Sequence, residues 1–177
     1  DANFEEDEIL LHQIQSKVLQ LGKKFNQIHK DILNDLNEHN IHVELPEELS
    51  EFHLSWLKKF FHDNVLQHIL PILLSEKKDY SDQINDTMTY LFVEMTNQKS
   101  HYAMMEVPTD RVSRFVILPP EKTRRHKTIV MLDDIIAYFI RDVFSSFFSF
   151  DDIQCYAIKL TRDAEYNLDD ELEEGLL

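Results

Sequence analysis

A chain of 177 residues with 43% hydrophobic content holds one ordinary domain, or a small domain with an appended helix, and excludes long disorder. Eighteen Lys and Arg against 33 Asp and Glu leave a formal charge of -15. That balance repels polyanions over most of the surface and excludes a general nucleic-acid binder, which would carry a basic face.

Cys155 is the single cysteine, so neither an internal disulfide nor a Cys-based metal cluster can form. No apolar run approaches the ~20 residues of a membrane span, and no segment reads as a signal peptide. Acidic runs at Glu5 to Glu8 and Asp169 to Glu174 read as solvated surface. The first residue is Asp1 and the last are Leu176 and Leu177, so both ends read as cut points. The lone cysteine suits the cytoplasm.

From Ile9 to Asn37 the apolar residues Leu11, Ile14, Val18, Leu21, Phe25, Ile28, Ile32 and Leu36 recur at alternating spacings of three and four. That is one stripe on a helix roughly 42 Å long. Such a seam serves a coiled coil or one member of a bundle, and Phe25 with His29 favours the bundle. Asn37 to Leu45 breaks the helix with a short extended piece. Ser50 suits an N-cap, and Leu54, Leu57, Phe61 and Val65 predict a second helix ending near Pro71.

After Ser81 the pattern changes. Thr87 to Thr96 is rich in β-formers, Asn97 to Ser100 is a polar turn, and His101 to Val107 is a second strand, so a hairpin is predicted. Arg114 to Leu118 makes a third strand, stopped by Pro119 and Pro120, and a charged loop runs from Glu121 to Lys127. Thr128 to Leu132 is extended. Asp133 then caps a helix with a stripe of Ile135, Ile136, Phe139, Ile140 and Val143. Ile153 to Thr161 is the last strand, and Asp169 opens another helix. The fold class is α+β: a long helix from an incomplete bundle, followed by a small, mostly antiparallel sheet packed with helices.

The nine histidines lack the spacing of a zincin. His39 and His42 are three apart with no third ligand suggested, so no metal site is expected. Two glycines cannot build a phosphate loop, and Cys155 in a predicted strand reads as a packed thiol rather than a nucleophile. Arginines remain, since a guanidinium grips phosphate oxygens bidentately. Lys122, Arg124, Arg125, His126 and Lys127 form the one dense basic cluster, read as solvated loop charge ahead of a phosphate grip. Arg114 and Arg162 flank strands and read as rim residues of one small sheet. For both, an ion pair with Asp110, Asp163 or Glu165 is favoured over a phosphate grip.

Four ordered blocks carry a resemblance. Ile129 to Tyr166 (IVMLDDIIAYFIRDVFSSFFSFDDIQCYAIKLTRDAEY) is similar to the head domain of the long, histidine-dependent bacterial polyphosphate kinases. Leu132 to Ile136, Phe147 to Asp151 and Thr161 to Glu165 match its helix start, its Phe-Phe-aromatic-Asp corner and its TRDAE block. Val107 to Pro119 (VPTDRVSRFVILP), Asn40 to Leu49 (NIHVELPEEL) and Phe60 to Pro71 match upstream blocks. Leu73 to Asp86 departs from the family's loop, and Ser113 stands where a proline is common.

The resemblance implies residues 1–40 as the last helix of an N-terminal helical domain, 41–166 as the head domain and 167–177 as the start of a further helix. It implies reversible transfer of the terminal phosphate of ATP to inorganic polyphosphate, with ATP/ADP and Mg2+ used by the parent and none bound by this fragment. The phosphorylated histidine lies in a C-terminal domain, so no catalytic residue transfers to a position here. Arg114, Arg162, Arg124 and Arg125 stay as substrate-binding candidates. The segment would serve packing and homo-oligomer assembly, in the cytoplasm or peripheral to the inner membrane. The alternative is a free-standing, non-catalytic oligomerisation or docking module.

Overall fold

A computed structural model describes residues 2–80 and 83–160, with residues 2–8 by their backbone alone. It opens with a 37-residue helix, α1 (Ala2–Glu38), about 56 Å long. The apolar stripe lies open along it: Leu11 is 56% exposed and Phe25 69%. Near the C-terminal end Leu33 and Leu36 become half-buried. The helix stops because Asn40 takes a left-handed φ of 57°, a conformation that asparagine tolerates better than most residues. The Asn40 amide bonds the Asn37 carbonyl at 3.0 Å.

Contacts divide the chain into two units, Asp1–Trp56 with Phe115–Met131, and Leu57–Arg114 with the described residues from Leu132 on. The first unit holds α1 and a three-stranded sheet in the order β1 (Ile41–Val43), β6 (Lys127–Met131), β5 (Phe115–Ile117). β1 runs parallel to β6, with Ile41 opposite Lys127 and Val43 opposite Ile129. β5 runs antiparallel to β6, with Val116 opposite Val130. Val116, Leu118, Thr128 and Val130 are buried.

Ser50 caps α2 (Glu51–Phe60) as its sequence position suggests: its hydroxyl accepts from the His53 amide at 3.3 Å. Beyond Phe60 the helix widens into one π turn, Phe61–Val65, and tightens into a 3-10 turn, Leu66–His68. Leu57, Phe61 and Val65 are fully buried, so the four-residue spacing survives the change of helix type.

The second unit is built on a four-stranded antiparallel sheet in the order β2 (Ile72–Leu74), β4 (Ser100–Glu106), β3 (Thr89–Thr96), β7 (Asp152–Lys159). β3 and β4 form the expected hairpin, with Leu91 opposite Met105 and Val93 opposite Ala103. Period-two alternation puts these four and Met95 on one face, and all five are buried. Two short helices, α3 (Leu132–Tyr138) and α4 (Ile140–Phe144), touch β7. Phe139 stacks on Phe61 at 5.0 Å.

Three expectations are corrected here. The strands form two sheets rather than one, so β5, which follows Arg114, and β7 belong to different sheets. Pairing between β1 and β6 is long-range and parallel, and strand-forming residue types alone do not reveal it. The helix expected after Asp133 starts at Leu132, which puts Asp133 and Asp134 in its first turn, where carboxylates suit the positive end of the dipole. It then breaks at Phe139, which sits at φ -93° and ψ 17°, in the bridge region. The predicted helix from Asp169 lies outside the described residues. No helix among the described residues is long and apolar enough to cross a membrane.

Candidate functional site

The basic loop ahead of β6 is partly spent on structure. Arg124 Nη1 donates to both Glu44 oxygens, at 2.8 and 2.6 Å, and its Nε lies 3.4 Å from Glu121. The parallel pairing sets this up: the Glu44 amide bonds the Ile129 carbonyl at 2.9 Å, extending β1 by one residue alongside β6. Ser50 donates its hydroxyl to Glu121 at 2.9 Å. His53, 2% exposed, donates its Nε2 proton to the Pro119 carbonyl at 2.9 Å, since a carbonyl can only accept.

Burial alone would raise the Glu44 carboxyl. Hydrogen bonds from Arg124 and then His126, together with their charges, outweigh it and hold that carboxyl below the ordinary carboxylate value. Arg124 is therefore half-buried and engaged, whereas Arg125 is exposed.

Of the two strand-flanking arginines, Arg114 is exposed and makes no ion pair with a described residue. Asp110, expected as its partner, instead holds Arg111 at 3.0 Å. Arg114 lines an open cleft of about 490 Å3 together with Thr87, Thr89, Thr109, Asp133 and Lys159. Among the described residues, two cations, three hydroxyl-bearing side chains and one carboxylate thus share the cleft. The Asp133 Oδ1 is buried without a hydrogen-bond partner among the described residues, and the Lys159 ammonium donates to the Met88 carbonyl at 3.2 Å. Arg162, Asp163 and Glu165 lie outside the described residues.

The corner Phe147 to Asp151 is fastened to the β3–β4 turn. The Asp151 amide bonds the Thr96 carbonyl at 2.8 Å, and the Asn97 side-chain amide bonds the Ser149 carbonyl at 2.8 Å. This corner borders a cleft of about 610 Å3. Arg141 lies over the Phe150 ring at 5.3 Å, a cation–π contact. Burial pushes the Cys155 thiol up to about 11, which disfavours the nucleophilic thiolate.

The sequence reading missed one constellation. His42 is joined by Glu44 and by His126 of the distant basic loop. The spacing of His39 and His42 pointed elsewhere, and only the β1–β6 pairing brings the third residue in.

Comparison with known proteins places these blocks in one family. The model of the polyphosphate kinase middle domain matches residues 53–177. Polyphosphate kinase of Vibrio vulnificus (strain YJ016) is 38% identical over 169 residues, 95% of this chain and 24% of that protein. Polyphosphate kinase of Escherichia coli (strain K12) is 38% identical over 95% of this chain and 25% of its own length. A crystal structure of polyphosphate kinase from Porphyromonas gingivalis superposes with a TM-score of 0.71 at 30% identity, over 82% of this chain and 24% of that one. The chain spans about a quarter of the length of the curated relatives it matches.

Proposed function

The chain belongs to the polyphosphate kinase family through its middle domain, and from that premise we propose that it serves a protein that moves the terminal phosphate of ATP reversibly to inorganic polyphosphate. The observation that carries this is the match over 95% of the chain to proteins named polyphosphate kinase. Within that protein this segment supplies packing and subunit-assembly surface. The phosphorylated histidine lies outside it. Support comes from the way its polar groups are used: Arg124 is engaged by two carboxylates, and Cys155 is held as a thiol.

Nucleotide and Mg2+ belong to other parts of the same protein. Mg2+ requires oxygen ligands in near-octahedral array, and the group of ligand-type residues described here contains two imidazoles. The two do not fit, and no step runs through the metal here. The protein works in the cytoplasm or at the inner membrane's periphery, as a homo-oligomer with contacts through this domain.

A second reading applies to one place. Arg114 and Lys159 share an open cleft with three threonines, and Arg114 is free of any ion pair with a described residue, so the cleft suits a phosphate group of the substrate chain.

The test uses labelled ATP and Mg2+. The full-length protein accumulates label in polyphosphate and an acid-labile label on itself. The 177-residue segment alone accumulates neither. Label on the isolated segment, or a full-length protein that makes no polyphosphate, would overturn the proposal.

A further inference from the structure

Strand alternation gathers four polar side chains on one side of the three-stranded sheet. His42 and Glu44 are two apart along β1 and its extension, and His126 and Thr128 are two apart along the entry to β6. His42 pairs with Thr128 in the parallel register, so all four point the same way. The His42 and His126 rings stack with centroids 3.9 Å apart and planes 9° from parallel. Glu44 Oε1 lies 3.0 Å from His126 Nε2 and 3.4 Å from the Thr128 hydroxyl. One donor atom from each of His42, Glu44 and His126 lies within 4.8 Å of the other two, and all three residues are half-buried.

Ligands of a tetrahedral Zn2+ sit about 3.4 Å apart, given bond lengths near 2.1 Å. Donor atoms up to 4.8 Å apart are wider than that, so binding requires one imidazole to turn off the stack. Two imidazoles and a carboxylate are a Zn2+ donor set that leaves a fourth position for water, and imidazole nitrogen selects against Mg2+ and Ca2+.

A cation already sits on the carboxylate. Arg124 holds both Glu44 oxygens, yet its Nε also faces Glu121 at 3.4 Å. A dication arriving at Glu44 repels the guanidinium, and Glu121 stands ready to receive it. We propose that His42, Glu44 and His126 form a Zn2+ site, and that Arg124 is a resident cation that yields Glu44 to the ion and retreats to Glu121. No covalent bond changes. Any proton on an imidazole leaves to solvent as the ring nitrogen takes the metal. The bound ion ties β1 to the loop ahead of β6 and so fastens the parallel pair of the sheet.

The test titrates Zn2+ into the full-length, chelator-stripped protein against a chromogenic chelator, with Co2+ absorption as a second readout. One equivalent binds with micromolar affinity. His42→Asn and His126→Asn each weaken it by about tenfold or more. Arg124→Gln tightens it, because a competitor for Glu44 is gone, whereas a purely structural ion-pair network gives no tightening. Circular dichroism checks that each variant is folded. Where one is not, NMR of the wild type decides: the His42 and His126 ring signals move first as Zn2+ is added. The proposal fails if the wild type shows no saturable uptake at micromolar Zn2+. It also fails if the His42→Asn/His126→Asn double variant binds like wild type, if folded Arg124→Gln binds no tighter, or if other histidine signals move first.

Discussion

Arg124 and Glu44 are eighty residues apart in the chain and meet as a half-buried ion pair, with both carboxylate oxygens accepting from one guanidinium nitrogen at 2.8 and 2.6 Å. The side chains are 22% and 13% exposed, shielded enough for the pair to count and wet enough that its desolvation cost is modest. Arg124→Ala leaves Glu44 short of its main donor and destabilises the fold by roughly 1–3 kcal/mol. A double-mutant cycle with Glu44→Ala, by urea unfolding in metal-free buffer, gives a coupling of about 1 kcal/mol or more. Strict additivity of the two single changes would show that the pair contributes nothing.

Cys155 gives a pH signature. Its folded value, about 11, stands above the ordinary thiol value of 9.0 because of burial. The folded chain therefore keeps this proton after the unfolded chain has lost it. Its contribution to stability is full below pH 9 and is lost as the pH rises through about 11. Alkylation of the native protein by iodoacetamide should rise with pH toward a midpoint near 11, while the denatured protein turns near 9. Coincident midpoints would contradict the burial argument.

These two residues show what was readable in advance. Cys155 sits in a run of β-formers, and strand β7 with its half-buried thiol followed from local pattern. Strands β3 and β4 and the turn between them were legible for the same reason, as was the long stripe of α1. Glu44 was invisible as a partner, because the β1–β6 ladder that brings it to Arg124 is parallel and long-range. The same ladder hid the meeting of His42 with His126. Strand β2 was missed because its three residues lie between Pro71 and the polar run from Ser75. The break at Phe139 was missed because the apolar stripe continues across it. The expectation that Arg114 sits at the rim of the same sheet as the last strand does not hold: the strand that follows it belongs to another sheet than β7, and Arg114 lines a cleft.

The stripe on α1 carries the next prediction. Leu11, Ile14, Val18, Leu21 and Phe25 are each at least 52% exposed, and such a row of apolar side chains along one helix face is what partner helices ordinarily cover. Burying such side chains is worth roughly 1.5–3 kcal/mol each. In the full-length protein this face should be covered by further helices. The 177-residue segment should bind an apolar dye such as ANS strongly, and the full-length protein weakly. Leu21→Asp in the full-length protein should lower its melting temperature by several degrees. If that change leaves the melting temperature unmoved, the face is free in solution.

Arg114 decides between two uses of one arginine. As an anchor it would turn to Asp133, whose buried Oδ1 lacks a hydrogen-bond partner among the described residues. As a phosphate grip it would work with Lys159 across the cleft of about 490 Å3. Among the described residues two cations and one carboxylate line the cleft, and Arg114 is exposed and pairs with neither Asp110 nor any other described carboxylate. These facts favour the grip. Arg114→Lys keeps the charge and loses the planar fork that fits phosphate oxygens. In the full-length enzyme it should raise the KM for polyphosphate by about tenfold, the scale of one charge-assisted hydrogen bond, with melting temperature and assembly unchanged. Lys159→Gln should act in the same direction, and both effects should shrink at high salt. Asp133→Asn separates the readings from the other side. Under the grip reading it removes a repelling charge and lowers KM. Under the anchor reading KM stays unchanged; the melting temperature does not discriminate, because losing the Asp133 charge in the first turn of α3 lowers it under either reading. A destabilised Arg114→Lys variant with unaltered KM would return Arg114 to a structural role.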